Sequence, residues 1–308
     1  MGQLLVVGTM AFDAIETPFA KSDKVLGGAA TFISLAASHY QVDTGIVSVV
    51  GDDFPDEYLQ LFRDRNINLD GVEIVQGGKT FFWSGRYHND MNTRDTLVTE
   101  LNTLADFDPK VPASFRSAEV VMLGNLAPAV QLSVLDQMES RPAFVVMDTM
   151  NYWIENTPED LKEIMKKVDV IALNDEEARQ LTGEYSLVRA AEGIHKMGPR
   201  YVVIKKGEHG ALLFHDKKVF FAPALPLEEV FDPTGAGDTF AGGFAGYLAQ
   251  SENKSFDNLK NAVIHGSNLA SFCVERLGTE RMENLQREEI QERLKNFHEL
   301  TQFNIELQ

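Results

Sequence analysis

The sequence predicts an α/β protein whose doubly wound, mainly parallel sheet is flanked by helices, and three observations support this fold class. Short apolar runs alternate with longer stretches of helical spacing from the N-terminus as far as His215. The apolar runs are nearly continuous in Val, Ile and Leu, which is typical of strands covered on both faces. Alternating strands and helices join parallel strands through right-handed crossovers.

The predicted elements follow one another regularly along the chain. Seven apolar runs are predicted to be buried strands: 4–7, 44–50, 120–123, 143–147, 168–173, 201–204 and 211–215. Six stretches between them have apolar residues at helical spacing and are predicted to be helices: 29–39, 55–65, 129–137, 157–167, 175–181 and 187–196. The part from Asn253 onward is predicted to be mostly helical, with a charged amphipathic end at 287–302.

One region interrupts the alternation of strands and helices. Residues 79–101 are rich in aromatic and β-branched residues and contain the turn signals Asn-Asp and Asn-Thr. This pattern predicts a small antiparallel β flap that acts as a lid and includes a short strand near 15–25. An edge hairpin of the main sheet stays open as the alternative. We expect one main domain over residues 1–308 that carries this lid, rather than two independent domains.

The composition excludes several classes of function. Forty-six acidic against 28 basic residues give a net charge of −18, which disfavours nucleic acid and anionic membranes as partners. Cys273 is the only cysteine, so an internal disulfide and a cysteine-based metal site are excluded. The N-terminus lacks an export signal and no apolar stretch reaches about 18 residues, so we expect a cytoplasmic protein.

The most informative segment is the glycine-rich stretch that follows Thr234. Gly235 and Gly237 allow a tight turn into a helix, and the amides of Gly235, Ala236 and Gly237 would then point at one spot. The helix dipole makes such a spot attractive to negative charge, so we interpret it as an anion hole for a phosphoryl group. Asp238 at the same turn would accept the proton of an attacking hydroxyl.

Other interpretations of this segment are weaker. A dinucleotide fingerprint needs a glycine where Phe240 stands, which counts against a nicotinamide oxidoreductase. A Walker-type loop needs Gly-Lys followed by Ser or Thr, and the chain has no such sequence. A glycine-rich helix start that serves only close packing stays open.

The segment DPTGAGDTFAGGF resembles the second signature of the PfkB carbohydrate kinases, the ribokinase-like family of sugar and nucleoside kinases. The likeness extends in the family's order along nearly the whole chain. It implies that Asp13 binds substrate hydroxyls and that Gly27 and Gly28 let the backbone approach the substrate. Where the family usually has Asn, this chain has Thr31, whose single hydroxyl is then the expected substrate contact.

The resemblance also implies a nucleotide side of the site. Asn174 and Glu177 match the family's Asn-x-x-Glu motif, in which Glu177 would hold Mg²⁺ through water. The positions implied to contact ATP are Asn174, Lys205, Gly207, Thr234, Gly237 and Asn268. Asp232 and Thr234 match positions whose backbone carbonyls hold a monovalent cation such as K⁺ in some relatives.

The flap residues have no family pattern that assigns them. Trp83 could stack on a sugar or a base, and Arg86 could pair with an anionic substituent, although packing within the flap explains both equally well. Tyr87 and Arg94 have no assigned role. Met10 and Phe12 flank the region of Asp13 and are expected to line the substrate pocket.

The sequence as a whole predicts an enzyme that moves the γ-phosphoryl of ATP to a hydroxyl of a small sugar or sugar-like substrate. A nucleoside kinase of the same family is the alternative, and a non-catalytic sugar or nucleotide sensor is less favoured. The expected cofactors are ATP and Mg²⁺, with K⁺ open. A homodimer through the flap is the partner that the resemblance implies.

Overall fold

The computed structural model describes residues 2–302 and contains two separate sheets. The large sheet has nine strands in the order β13-β12-β11-β10-β9-β8-β1-β4-β5. All neighbours from β11 to β5 are parallel, and only β12 and β13 add antiparallel pairs at one edge. The predicted fold class is therefore confirmed.

The strands and helices have the following bounds. The strands are β1 (Gln3–Val7), β2 (Ala11–Glu16), β3 (Val25–Gly27), β4 (Asp43–Gly51), β5 (Ile67–Val75), β6 (Phe82–Tyr87), β7 (Arg94–Glu100), β8 (Val120–Leu123), β9 (Phe144–Asp148), β10 (Val170–Asn174), β11 (Tyr201–Lys205), β12 (Ala211–His215) and β13 (Lys218–Ala222). The α-helices are α1 (Ala29–Ala37), α2 (Asp56–Asp64), α3 (Pro128–Asp136), α4 (Asn151–Asn156), α5 (Pro158–Met165), α6 (Asp175–Thr182), α7 (Leu187–Met197), α8 (Ala236–Gln250), α9 (Phe256–Cys273), α10 (Glu280–Asn284) and α11 (Arg287–Thr301).

The large sheet separates two hydrophobic cores. Alternate residues of β1 enter opposite cores: Leu4 and Val6 pack with helices α1, α8 and α9, whereas Leu5 and Val7 pack with α3, α5 and α7. All four side chains are fully buried. A strand that is covered on both faces needs apolar residues at every position, which explains the continuous apolar run.

The strand order fixes where a ligand can bind. The chain starts in the middle of the sheet at β1, adds β4 and β5 on one side, and then crosses to β8 on the other. In open α/β sheets the crevice at such a switch point, beyond the carboxyl ends of the strands, is the usual ligand site.

The small sheet has the strand order β3-β2-β6-β7. It is a separate sheet, as the flap prediction stated, and not an edge hairpin of the large sheet. The antiparallel pairing predicted for 79–101 is confirmed by β6 and β7, and β2 and β3 are also antiparallel, whereas β2 and β6 join in parallel. The single strand predicted near 15–25 is instead two strands, Ala11–Glu16 and Val25–Gly27.

The C-terminal part is helical, as predicted, as far as the structure describes it. Helices α9, α10 and α11 follow one another, and the end of the predicted helical region, 303–308, lies outside the described residues. None of the helices within residues 2–302 combines the length and the apolar character that a membrane crossing requires.

Candidate active site

The glycine-rich loop ends in the N-terminus of helix α8. Gly235 is the N-cap and has a φ of 74°, a left-handed conformation that favours glycine, and a Cβ there would lie 2.4 Å from the ring of Phe32. The N–H of Ala236 donates to the carbonyl of Pro233 at 3.2 Å, so the turn itself uses this amide. The amides of Gly235 and Gly237 have no acceptor among residues 2–302. Two of the three predicted amides are therefore available to an anion.

Asp238 lies in the first turn of α8, and part of its side chain remains accessible to solvent. Burial and the negative charge of Asp148 raise its pKa to about 7, and the charges of Lys205 and Arg94 lower it without restoring the ordinary value. Its carboxylate accepts no hydrogen bond from the residues that the structure describes. A carboxylate with a pKa near neutrality and free oxygens is suited to accept a proton.

Lys205 ends strand β11 and pairs with Asp148 at the end of β9. The Nζ–Oδ2 distance is 2.8 Å, and both side chains are largely buried. The ammonium also lies beside the loop, because a Cβ at Gly237 would be 3.2 Å from Nζ. Burial lowers the pKa of Lys205, but Asp148 and Glu177 more than offset this, so the net shift is upward and the group stays charged. The structure thus places a fixed positive charge against the glycine-rich loop.

Asn174 and Glu177 form a capping box at the start of α6. The backbone N–H of Glu177 donates to Asn174 Oδ1 at 2.7 Å, and the backbone N–H of Asn174 donates to Glu177 Oε2 at 2.8 Å. Burial and the charge of Asp148 raise the pKa of Glu177 to about 7. The motif therefore shapes the helix start and also places a carboxylate beside Asp148.

The carboxylates of this region suit a Mg²⁺ ion that keeps most of its waters. Residues 2–302 contain no group of three or more His, Cys, Asp or Glu side chains arranged to hold a metal directly. Glu177 Oε1 accepts no hydrogen bond from these residues. The carboxylates of Glu177 and Asp148 repel each other, and a divalent cation bound near both would relieve that repulsion. Mg²⁺ commonly binds through one or two carboxylates and retains several waters.

Asp13 lies in β2 of the small sheet, and Gly27 and Gly28 lie close to this part of the chain. A Cβ at Gly27 would lie only 1.9 Å from Asp13 Oδ2, so the carboxylate fills the space that any side chain would take. Gly28 has a φ of 94° and would clash with the carbonyl of Thr9 at 2.4 Å. Burial and the charges of Asp232 and Asp238 raise the pKa of Asp13 to about 7. The small sheet thus places Asp13 close enough to Asp238, at the start of α8, for the charge of Asp238 to raise the pKa of Asp13.

Trp83 is the cross-strand partner of Asp13 in the small sheet. Partners in register lie on the same face of a sheet, so the indole and the carboxylate share one face of the small sheet, which we call its inner face. The ring is partly exposed, and its Nε1 donates to Thr96 Oγ1 at 3.3 Å. An aromatic surface therefore lies next to the group that is expected to bind substrate hydroxyls.

Four positions that the sequence assigned to ligand contacts are buried. Thr31 is fully buried in α1, and its hydroxyl oxygen has no hydrogen-bond partner among residues 2–302. Asn268 is also fully buried, and its side-chain amide donates to the carbonyl of Ile290 at 3.1 Å, which ties α9 to α11. Met10 is completely buried. Phe12 is 3% exposed and packs against Phe54 with 5.6 Å between ring centroids.

Arg86, a predicted substrate contact, lies on the opposite face of the small sheet from Trp83. It is three residues from Trp83 on the same strand, so its side chain leaves the sheet on the opposite face. It is exposed and bound to Glu16, with an Nε–Oε1 distance of 2.8 Å. An arginine on the outer face of the small sheet does not reach the inner-face residues Asp13 and Trp83.

The other predicted positions lie around the glycine-rich loop. The buried carboxylate of Asp232 accepts hydrogen bonds from the backbone N–H groups of Thr234 and Gly278, each at 2.8 Å. These bonds fix the start of the glycine-rich loop. The carbonyl of Thr234 accepts the thiol of Cys273 at 3.5 Å. Gly207 follows β11, and a Cβ there would lie 2.6 Å from Asn92 Oδ1 at the tip of the β6–β7 hairpin.

Three residues of the site had no assigned role in the sequence. Asp148 ends a buried parallel strand, and the segment DTMN that begins with it resembles the Asp-Pro-Asn stretch of the PfkB family, although the resemblance assigned it no role. Tyr87 accepts a hydrogen bond from Thr234 Oγ1 at 3.2 Å. Arg94 pairs with Tyr87 across β6 and β7, and its charge lowers the pKa of both Asp13 and Asp238. No local sequence pattern indicates that Tyr87 and Arg94 belong to the site.

The fold and the site are those of a kinase that transfers a phosphoryl group at the carboxyl edge of a parallel sheet. A model of the pfkB family carbohydrate kinases matches residues 1–285. The cytidine kinase of Thermococcus kodakarensis is 32% identical over 251 residues, which cover 80% of this chain and 89% of that protein. The chain therefore belongs to the pfkB family, as predicted, and is a phosphotransferase that acts on a hydroxyl group.

Solved structures share the fold over nearly the whole chain. The nucleoside kinase of Methanocaldococcus jannaschii has a TM-score of 0.77 at 21% identity, covering 96% of this chain and 99% of that one. The ribokinase of Arabidopsis thaliana, complexed with ribose and ATP, has a TM-score of 0.77 at 19% identity, covering 96% of this chain and 99% of that one. Both are similar to this chain in architecture.

Proposed function

We propose that this protein transfers the γ-phosphoryl of ATP to a hydroxyl on the ribose of a nucleoside. The observation that carries the proposal is the meeting of Asp13 from the small sheet with Asp238 from the glycine-rich loop, each with a pKa raised to about 7 partly by a neighbouring carboxylate. One carboxylate orients a hydroxyl and the other accepts its proton. The loop that carries Asp238 also carries two free amides, and the Lys205 ammonium lies against it.

The reaction follows from these positions. Asp13 accepts a hydrogen bond from the substrate hydroxyl and holds it in line with the phosphoryl group. The bond between the γ-phosphorus and the bridging oxygen of ADP breaks while the hydroxyl oxygen forms the new bond to phosphorus. The hydroxyl proton passes to Asp238. Because phosphoryl transfer has a loose transition state, positioning and charge stabilisation outweigh early removal of the proton.

Charge stabilisation comes from the protein groups beside the loop. The amides of Gly235 and Gly237 and the ammonium of Lys205 face the oxygens of the moving phosphoryl group. Glu177 and Asp148 would hold the waters of a Mg²⁺ ion, which supplies further positive charge to the nucleotide phosphates. Asp238 stays free of hydrogen bonds among the described residues and so remains available as the base.

Two observations favour a nucleoside over a free sugar. Trp83 offers a partly exposed aromatic surface beside Asp13, where a base attached to the bound ribose would lie. The relative from Thermococcus kodakarensis is a cytidine kinase. A free sugar, the first expectation from the sequence, needs more hydroxyl partners, and Thr31 and Arg86 do not provide them.

The experiment is a measurement of ADP formation with Mg²⁺ and ATP over a panel of nucleosides, free sugars, sugar acids and polyols. We expect the highest kcat/KM with a nucleoside. Trp83→Ala should raise the KM for that nucleoside by about tenfold, the equivalent of about 1.4 kcal/mol, and Trp83→Phe should restore most of the loss. Higher kcat/KM with a free sugar would reject the nucleoside assignment, and no transfer to any acceptor would reject the kinase function.

K⁺ dependence and the homodimer remain predictions. Replacing K⁺ by choline in the assay tests the first, since a K⁺ site on the carbonyls of Asp232 and Thr234 would make kcat rise with K⁺. Sedimentation at several protein concentrations tests the second.

A further inference from the structure

The β6–β7 hairpin of the small sheet lies across the glycine-rich loop. Arg94 is the first residue of β7 and pairs in register with Tyr87, the last residue of β6. The hydroxyl of Tyr87 accepts a hydrogen bond from Thr234 Oγ1 at 3.2 Å. Thr234 immediately precedes the glycines of the loop. The end of the hairpin that carries Arg94 is therefore anchored beside the phosphoryl-binding amides.

A second contact fixes the same hairpin from its tip. Asn92, two residues before Arg94, approaches the loop after β11 so closely that a Cβ at Gly207 would lie 2.6 Å from its Oδ1. That loop follows Lys205, whose ammonium faces Gly237. The hairpin thus contacts two loops of the site, the glycine-rich loop before α8 and the loop after β11.

Arg94 itself is exposed, and its guanidinium lies 5.7 Å from the centroid of the Trp83 ring. It forms no ion pair with any carboxylate that residues 2–302 contribute. Its positive charge counteracts the rise in the pKa of Asp13, in β2, and of Asp238, in α8. It also lowers the pKa of Tyr87 by its charge and by a side-chain hydrogen bond, so one donor faces that hydroxyl. No carboxylate of residues 2–302 pairs with the remaining donors, which leaves them for a ligand.

We propose that Arg94 is a catalytic residue that binds the oxygens of the phosphoryl group while it moves between ATP and the acceptor hydroxyl. This inference rests on the proposed kinase function. The guanidinium fork matches the equatorial oxygens of a transferring phosphoryl group, where the charge of the loose transition state is spread. Arg94 takes no proton, because the hydroxyl proton passes to Asp238 and the bridging oxygen leaves with ADP.

The origin of Arg94 has a consequence for control of the reaction. The amides and Lys205 belong to the large sheet, whereas Arg94 comes with the small sheet. Full charge stabilisation therefore exists only while the hairpin lies over the loop. A nucleotide bound with the hairpin displaced would lack this group, which protects ATP from transfer to water.

The test compares Arg94→Ala and Arg94→Lys with Arg86→Ala. Arg86 is a matched control because it lies on the same strand pair, is exposed, and points away from the site in an ion pair with Glu16. We expect Arg94→Ala to lower kcat by about 10²–10³-fold with both KM values changed less than about threefold. Arg94→Lys should recover only part of the loss, added guanidinium should partly rescue Arg94→Ala, and Arg86→Ala should match the wild type.

A binding measurement gives a readout apart from turnover. Calorimetry would compare ADP alone with ADP and aluminium fluoride, both with Mg²⁺, since the fluoride complex imitates the phosphoryl group in transit. We expect the wild type to bind the complex more tightly than ADP, and Arg94→Ala to lose that gain while binding ADP normally.

Distinct results would overturn the inference. Wild-type kcat and wild-type affinity for the fluoride complex in Arg94→Ala would remove Arg94 from the chemistry. A rise in the acceptor KM alone would assign Arg94 to the acceptor. If the wild-type protein transfers phosphate to no acceptor, the proposed function fails, and an unchanged fluoride-complex affinity in Arg94→Ala would separately reject the inference.

Discussion

Asp238→Asn is the substitution that bears most directly on the proposed chemistry. Asparagine keeps the shape of the side chain and removes both its charge and the oxygen that accepts a proton. Loss of a general base typically costs about 10²–10⁴-fold in rate, or about 3–5 kcal/mol of barrier height. We expect kcat to fall within that range. ATP should bind at least as well as in the wild type, because the substitution removes a negative charge beside the triphosphate.

The same substitution should stabilise the fold at high pH. Burial and Asp148 raise the pKa of Asp238 from 3.8 to about 7. Between those values the folded chain holds a proton that the unfolded chain has released, so stability is greatest at low pH and is lost as the pH rises through about 7. The whole rise corresponds to about 4 kcal/mol at about 1.4 kcal/mol per pH unit. Solvent screens part of this, so we expect Asp238→Asn to gain roughly 1–2 kcal/mol at pH 8.

Three measurements examine Asp238→Asn together. Steady-state kinetics from pH 5 to 9 should show wild-type kcat/KM rising through about pH 7. That rise should be less steep in the variant, where Asp13 and Glu177 still titrate in this range. Calorimetry gives ATP affinity, and urea unfolding at pH 5 and 8 gives stability. Asp56→Asn is the control, because Asp56 is an exposed aspartate in the first turn of another helix. Near-wild-type turnover in Asp238→Asn would refute the base assignment, and equal stabilities at pH 8 would refute the charge argument.

Three further substitutions probe the neighbours of Asp238. Gly27→Ala would place a Cβ 1.9 Å from Asp13 Oδ2, so the carboxylate must leave its position; kcat/KM for the acceptor should fall at least about 10²-fold while calorimetric ATP affinity is retained. Lys205→Met leaves Asp148 buried without its ammonium and should cost about 3 kcal/mol in urea unfolding, recovered when Asp148→Asn is added. Glu177→Gln keeps an oxygen for the capping bond, so the fold should persist while the Mg²⁺ concentration for half-maximal activity rises about tenfold. Unchanged values in any of the three assays would contradict the corresponding contact.

The large sheet was predictable because burial on both faces leaves a strong local signal. Strand β8 has four fully buried residues, and its sequence VVML shows an apolar residue at every position. The loop before Asp238 was predictable for a similar reason, since Gly235 adopts a conformation that disfavours other residues. In both cases the physical demand falls on consecutive residues.

Thr31 and Asn268 show what a matching position leaves undetermined. A motif fixes the place of a residue along the chain but not the direction of its side chain around a helix. All nine residues of α1 are buried, and its sequence AATFISLAA offers no polar face toward a ligand. That apolar pattern was the available signal that Thr31 is buried. For Asn268 the deciding contact is with Ile290 on α11, which no local pattern indicates.

The two arginines of the small sheet show the same limit in strands. Trp83 and Arg86 are three residues apart, so in a regular strand their side chains lie on opposite faces of the sheet. This alternation alone excludes that both line the same pocket. The position of Arg94 depends on how β7 pairs with β6, and the pairing shifts between Ser84 and Gly85. A shifted register changes which residues share a face, so the sequence could not place Arg94 on the inner face.

The balance of charge in the site connects these findings. A protein with a net charge of −18 repels a nucleotide over most of its surface, so the affinity for ATP has to come from local groups. The large sheet supplies Lys205, but the carboxylates of Asp148, Glu177 and Asp238 surround it. Arg94 adds the second positive charge, and it arrives only with the small sheet. The position of the hairpin therefore sets the electrostatic balance of the site, and the affinity for the complex of ADP and aluminium fluoride should fall more steeply with salt in the wild type than in Arg94→Ala.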